Sequence, residues 1–336
     1  MIAAFPNCYG NGVRAMKILV TPTSFLKPEN AAAKEKLENF ADEVVYNDLG
    51  RPLQPEEILE RLDGVDGYIA GLDYINADVL QKAPDTLKVI SRYGAGVDRV
   101  DMPAASEKGI LVTNTPGTNS VAVCELAFAL MINVARSIRK LDKAVRDGGW
   151  PRNQGIELKG KTLGILGLGA IGKNLATRAI AFGMKIVAYD PFMDHEFAKA
   201  HDITVANDMQ EVIKVSNFLS IHVPLNDETR HLIDAKAIAS MPDGAVIINT
   251  ARGGIVDEDA LADAIRSGKI AGAGLDAYEV EPPTDSPLKD LDNVIMTPHT
   301  GAHTNEAVSG MGMMAVDNVI AVLSGADCKY VLNQNK

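Results

Sequence analysis

The stretch Lys161–Pro191, KTLGILGLGAIGKNLATRAIAFGMKIVAYDP, reads as strand, tight glycine turn, helix and second strand. Thr162-Leu163-Gly164-Ile165-Leu166 is a short apolar run, the pattern of a buried parallel strand. Gly167, Gly169 and Gly172 follow in G-x-G-x-x-G spacing, and Ile171, Leu175, Ala176 and Ile180 then recur at helical intervals. Each glycine has its own reason. Gly167 permits the tight turn, Gly169 presents no side chain to a pyrophosphate, and Gly172 lets helix and strand pack closely. The helix N-terminus adds unpaired N–H groups and a partial positive charge suited to phosphates. Lys185–Tyr189 forms the next strand. Asp190 closes it, roughly 20 residues beyond the last glycine, where a carboxylate can accept hydrogen bonds from ribose hydroxyls. A lone glycine triplet is weak; strand, glycines, helix, strand and terminal acid in register are strong. The stretch is a dinucleotide site, and its terminal acid indicates NAD.

A chain of 336 residues is long enough for two ordinary domains. Its 46% hydrophobic and 23% charged content is that of a soluble globular protein. A net charge of −11 argues against a nucleic-acid partner or a polybasic membrane contact. Cys8, Cys124 and Cys328 are scattered and odd in number, fitting neither a disulfide framework nor a metal site, so a reducing, cytoplasmic location is expected. No apolar run approaches the ~20 residues that span a bilayer. Residues 1–15 (MIAAFPNCYGNGVRA) lack the apolar core of a signal peptide. They precede a second methionine, Met16, and KILVTP, which reads as a natural first strand. They form an N-terminal extension with no assigned role.

From Met16 to Thr113, apolar strands recur at Lys17–Thr21, Glu43–Tyr46, Gly67–Ala70, Lys88–Ser91 and Ile110–Thr113. Helical stretches such as Ala31–Phe40 and Glu56–Leu62 lie between them, so a parallel sheet covered on both faces is predicted. This half has no G-x-G-x-x-G and is read as the substrate domain. Arg92-Tyr93-Gly94-Ala95-Gly96-Val97-Asp98 falls at the end of its fourth strand, where such folds bind ligands. Its glycines suit a turn that aims N–H groups at an anion, although an ordinary tight turn has the same composition. Asn114-Thr115-Pro116-Gly117 breaks the pattern and marks the crossing between domains. Asn119 to Arg146 is predicted as one long helix. Its apolar portion, Val121–Ala135, exceeds what one domain face covers and points to a subunit interface.

Beyond the dinucleotide unit, strands are expected at Phe218–Val223, Ala245–Asn249, Ile270–Leu275 and Asn293–Met296. Their ends carry His222-Val223-Pro224, Thr250-Ala251-Arg252, Asp276 and Thr297-Pro298-His299. A last helix, Thr304–Gly325, could return to the first domain. The organisation read is a discontinuous substrate domain, 16–114 with 301–336, around a dinucleotide domain at 115–300. A nicotinamide enzyme acting on an alcohol needs a base for the hydroxyl proton and a cation for a substrate carboxylate. His299 is the best acid/base candidate. Glu281, before Pro282-Pro283, could hydrogen-bond its imidazole and set its orientation. Arg252 offers a planar fork matched to a carboxylate. Alone, each has a bland reading as a structural histidine, a loop acid or a surface charge. His303 follows His299 by four residues, but nothing nearby completes a ligand set, so no metal is expected.

The segments RYGAGVDRVD, NTPGTNSVAVCE, GILGLGAIG, AYDP, HVPL, NTARGG, GLDAYEVEPP and TPHTGAH occur in that order. In this the chain resembles the D-isomer-specific 2-hydroxyacid dehydrogenases, most closely their phosphoglycerate dehydrogenase-like branch, from about Met16 to Gly325. The resemblance implies an α/β fold of two doubly wound parallel-sheet domains, a Rossmann NAD-binding domain and a flavodoxin-like substrate domain. It also implies a homodimer, and hydride transfer between NAD(H) and a small 2-hydroxy or 2-keto acid. Arg252, Glu281 and His299 match the family's catalytic residues. Cofactor contacts are implied at Gly167, Gly169, Ala170, Ile171, Gly172, Asp190, Val223, Pro224, Thr229, Thr250, Ala251, Asp276 and Gly301. Substrate contacts are implied at Arg92, Gly94, Ala95, Gly96 and Arg252. The chain departs from the family where Ala302 and His303 replace small residues. It departs again after the third strand, where Ala70 stands in place of an arginine and Asp73 is expected to repel a phosphate. D-3-phosphoglycerate dehydrogenase, glyoxylate/hydroxypyruvate reductase and an NAD-sensing corepressor are the alternatives within this resemblance.

Overall fold

The computed structural model describes residues 14–334. They fall into two units: one runs to Thr118 and resumes at Val308, the other is Asn119–Ala307. In the first unit, β1 (Lys17–Val20), α1 (Ala31–Phe40), β2 (Glu43–Tyr46), α2 (Pro55–Arg61), β3 (Gly67–Ala70), α3 (Ala77–Lys82), β4 (Val89–Arg92), α4 (Met102–Glu107) and β5 (Leu111–Thr113) alternate. Among the described residues the strands form one parallel five-stranded sheet in the order β2-β1-β3-β4-β5. This is the flavodoxin-like order. Every residue of β3 and β4 is buried, as expected of strands covered on both faces. Asn76 and Asp101 start α3 and α4 by accepting the N–H of Val79 and of Ala104 on their side chains. Of the N-terminal extension, only Arg14 and Ala15 are among the described residues. Arg14 donates to Gly64 O at 2.8 Å and pairs with Asp66.

The second unit runs α5 (Ser120–Arg136), α6 (Ile138–Arg146), β6 (Thr162–Leu166), α7 (Ala170–Ala181), β7 (Lys185–Tyr189), α8 (His195–Ala200), β8 (Thr204–Val205), α9 (Met209–Val215), β9 (Phe218–Ile221), α10 (Ala235–Ser240), β10 (Ala245–Asn249), α11 (Glu258–Arg266), β11 (Ile270–Leu275) and β12 (Val294–Met296). Its parallel sheet has the order β12-β11-β10-β9-β6-β7-β8. The order reverses between β6 and β9, whose Leu166 and Ile221 pair. Such a switch point is where doubly wound sheets bind ligands.

The long helix expected over 119–146 is two helices, bent by 63° at Ser137, whose φ of 51° is left-handed. Part of the apolar run is covered within its own unit, where α5 packs on β10, β11 and α7, while Val121 is left 48% exposed. The Cβ that Gly274 lacks would lie 2.7 Å from Leu130 Cβ. By contrast α6 buries none of its residues.

α12 (Asn305–Leu323) is long and apolar enough to cross a membrane, which the sequence reading had not anticipated. Its Ala315, Val316 and Val319 are fully buried, and Val319 packs where a Cβ on Gly67 of β3 would lie 3.0 Å away.

Candidate functional site

In the second unit the glycine turn between β6 and α7 has little slack. A Cβ on Gly167 would lie 2.6 Å from His222 O, and one on Gly172 would lie 2.2 Å from Gly167 O. A Cβ on Gly169 would meet nothing within 4 Å. Two glycines therefore close the turn and the third leaves open space at the helix N-terminus, where the first N–H groups of α7 have no intrahelical acceptor. Asp190, at the end of β7, accepts the N–H of Leu168 and of Phe192 at 2.8 Å each. These bonds orient a half-buried carboxylate beside the turn.

Two buried polar atoms without a protein partner mark the neighbouring strand ends, Thr250 Oγ1 after β10 and His222 Nδ1 after β9. The other ring nitrogen of His222 lies 2.9 Å from Ser220 Oγ. Burial pushes the imidazole down to about 4, so it is neutral at pH 7. A glycine cradle with open space, an oriented acid and an orphaned hydroxyl fit a dinucleotide.

Two of the expected contact residues also make hydrogen bonds within the protein. The Thr229 hydroxyl donates to Pro224 O at 2.6 Å and accepts from Asn226 N at 2.9 Å, so it shapes its own loop. Asp276 is buried and accepts from the Thr297 hydroxyl at 2.6 Å, Thr300 N at 2.8 Å and Gly301 N at 2.7 Å. The carboxylate at the end of β11 thus shapes the turn after β12.

That turn carries His299, held at a left-handed φ of 49°. His299 Nδ1 lies 2.8 Å from Glu281 Oε1. Tyr278 N donates to the same oxygen at 3.3 Å. The buried Tyr278 hydroxyl donates to Leu275 O at 2.9 Å and Thr297 O at 2.8 Å, joining the stems of both loops. Burial, then the Asp276 charge, raises the Tyr278 phenol far above its usual value, so it stays a donor.

Arg252 stands on a turn shaped by buried Asn249, which donates to Arg252 O at 2.7 Å and accepts from Ala251 N at 3.0 Å. Its own guanidinium donates to Ala251 O at 2.7 Å. His303 N closes on Thr300 O at 2.8 Å.

In the first unit the Arg92–Asp98 loop leaves β4. Arg92 is buried, and its guanidinium donates to Ala70 O at 3.3 Å and to Tyr93 O. The Gly94 N–H is taken by Thr115 Oγ1 at 2.9 Å, and Ala95 O by the Asn114 side chain at 2.7 Å. The Tyr93 hydroxyl donates to Val308 O at 2.9 Å.

Asp73, expected to repel an anion, is buried, and its carboxylate accepts from Tyr68 OH at 3.0 Å, Gly71 N at 2.9 Å, Leu53 N at 2.7 Å and the Thr21 hydroxyl. A further cation does reach this loop, for Arg99 donates to Leu72 O at 3.2 Å. Tyr278 and Asn249 escaped the sequence reading, since their roles depend on partners that no sequence motif marks.

Residues 128–301 match the family described as D-isomer specific 2-hydroxyacid dehydrogenase, NAD binding domain. The chain is 43% identical over 295 residues to a D-3-phosphoglycerate dehydrogenase of Methanocaldococcus jannaschii. That match covers 87% of this chain and 56% of the relative, so the chain spans about half the length of that relative. It is 40% identical to a glyoxylate reductase of Thermococcus litoralis, covering 92% and 95% of the two chains. Among solved structures, the D-lactate dehydrogenase of Aquifex aeolicus, complexed with NAD and lactic acid, superposes with a TM-score of 0.81 at 30% identity. That superposition covers 92% of this chain and 96% of the other.

Proposed function

This chain belongs to the D-isomer-specific 2-hydroxyacid dehydrogenase family, and from that premise we propose that it is an NAD(H)-dependent reductase of small 2-keto acids. The observation that carries the reading is the hydrogen bond between His299 and Glu281, 2.8 Å long, on loops leaving the carboxyl edge of the NAD-binding sheet. A bound nicotinamide supplies or accepts the hydride. The protein must supply the proton and hold the acid. His299 donates a proton from Nε2 to the keto oxygen during reduction and takes it back during oxidation. Glu281 accepts the hydrogen bond of Nδ1, which directs Nε2 outward and stabilises the ring while it carries the proton. Arg252 receives the substrate carboxylate through paired N–H groups. Within the first unit, the glycine loop is read as an anion-binding turn at the Ala95 and Gly96 amides, because the Gly94 amide is already bonded. Asp276 serves the cofactor through the turn it shapes.

We further propose a cytoplasmic homodimer. D-3-phosphoglycerate dehydrogenase is the second reading, favoured by the 43% identity to such an enzyme. The test is turnover of purified protein with NADH and a panel of glyoxylate, hydroxypyruvate, 2-ketobutyrate and 3-phosphohydroxypyruvate. NADH oxidation with at least one unphosphorylated acid is expected. No turnover with any of the four overturns the reading in favour of a cofactor-sensing protein.

A further inference from the structure

We propose that Glu258 is a positioning residue for Glu281, holding with both carboxylate oxygens the loop that carries it. The inference rests on the reading of Glu281 and His299 as the proton-handling pair. After β11 the chain must place the Glu281 carboxylate within 2.8 Å of His299 Nδ1. Packing does little of this, because Glu279, Val280, Pro282, Thr284 and Asp285 are all exposed. The turn is held at its two ends instead. Glu258 Oε1 accepts Glu279 N at 2.8 Å, and Oε2 accepts the hydroxyl of buried Ser286 at 2.6 Å.

One carboxylate therefore spans the exposed turn. Glu258 is itself fixed as the first residue of α11, which Asp257 caps by accepting Ala260 N at 2.9 Å. The same loop abuts the turn bearing Arg252, since a Cβ on Gly253 would lie 1.8 Å from Tyr278 O. An acid in a first helical turn is favourable through the helix dipole alone. That role requires no partner and leaves the oxygens in water, whereas here each oxygen meets a donor from one end of the turn. The match is also specific to a carboxylate. Two donors need two acceptors, and glutamine offers one.

The experiment follows Glu258→Ala, Glu258→Gln and Ser286→Ala in the full chain by kinetics and by imidazole nitrogen NMR. Glu258→Ala should lower kcat about ten- to hundred-fold, the scale of a small misplacement of reacting groups. NADH affinity, read by fluorescence, should change by less than about two-fold. Glu258→Gln should recover part of the loss. In a Glu281→Gln background, Glu258→Ala should add little, because residues acting through one group are not additive. The His299 ring resonances should move in the same direction in Glu258→Ala as in Glu281→Gln. Wild-type His299 resonances in the Glu258 variants, or a full multiplicative loss in the double variant, overturn the proposal. A wild-type protein without turnover defeats the functional reading, while the NMR comparison still decides the role of Glu258. Should Glu258→Ala not fold, Glu258→Gln and Ser286→Ala make the same comparison, each removing one of the two bonds.

Discussion

Arg252 sits on a turn that its neighbours build: Asn249 binds its carbonyl, and Gly253 lets the turn press against Tyr278. The backbone therefore survives a change of side chain, and Arg252→Lys tests the fork alone. Lysine keeps the charge and loses paired N–H donation. A charge-assisted hydrogen bond contributes roughly 1.5–3 kcal/mol, so kcat/KM should fall about 10- to 100-fold with melting temperature unchanged. A variant retaining most of its kcat/KM removes Arg252 as the carboxylate clamp. Asp190 makes a second residue-level prediction. Its carboxylate is oriented by two N–H groups, and Pro191-Phe192-Met193 bring no cation. A 2′-phosphate at ~4 Å from it is disfavoured by about 1 to 4 kcal/mol, so NADH should be preferred to NADPH. Equal catalytic efficiency with both cofactors counts against this. His222 sets a pH dependence. Burial lowers its folded value to about 4, below the unfolded value near 6.5, so the unfolded chain binds the proton first. The stability it confers is complete above about pH 6.5 and is lost as pH falls toward 4. His222→Gln should flatten this acid limb in thermal melts, and an unchanged limb assigns it elsewhere. At this scale the sequence nominates candidate residues without showing what each one touches. Asp73, read as an anion-repelling loop charge, is an internal acceptor for four donors. Nothing in the run GLDY distinguishes the two.

Elements were legible wherever a local pattern decides them. Strands such as Thr162–Leu166 and Ala245–Asn249 have the expected bounds because continuous apolar runs between turn residues admit few alternatives. Short helices such as α8 and α10 escaped, since fewer than two turns carry little periodicity. What marks them is a capping aspartate, Asp194 or Asp234. The 119–146 segment was read as one helix and is two, since the break at Ser137 carries no proline or glycine to mark it. One face of its apolar run packs on β10 and β11 of its own sheet. Further exposed apolar residues of the same segment lie on and just beyond α6. Ile138 is 46% exposed, Val145 51% and Trp150 just beyond it 78%, on a helix with no buried residue. An apolar face left in water over this length favours self-association, and the expected product is a homodimer through α6 and Trp150. Ile138→Glu with Val145→Glu should halve the sedimenting mass at micromolar concentration and leave circular dichroism unchanged. A wild-type protein that sediments as a monomer rules the interface out.

At the level of the whole molecule, the proposed contacts divide between the two units. His299 and Glu281, the proposed proton-handling pair, and Arg252 lie in the NAD-binding unit, and the Arg92–Asp98 loop lies in the other. Charge decides which acids such contacts can hold. A phosphate of charge near −2 entering a partly dry pocket needs cationic or N–H partners, each contributing roughly 1.5–3 kcal/mol. Arg252 is assigned to the carboxylate, and the Gly94 amide is already bonded within its unit. Arg92 is buried, with its guanidinium on Ala70 O and Tyr93 O, so turning it toward a phosphate would forfeit those bonds. Residues 71–76 contain no lysine or arginine. Asp73 is buried beneath this loop and holds it to Thr21, just past β1, and to Tyr68 of β3. Arg99 is the strongest counterweight, since it reaches the loop at Leu72 O. The expected outcome is a higher kcat/KM for glyoxylate or hydroxypyruvate than for 3-phosphohydroxypyruvate. The difference should be about ten-fold or more if one charge-assisted bond is missing. A preference for the phosphorylated acid that disappears in Arg99→Ala or Arg92→Ala would identify the phosphate's cation and make phosphoglycerate the substrate.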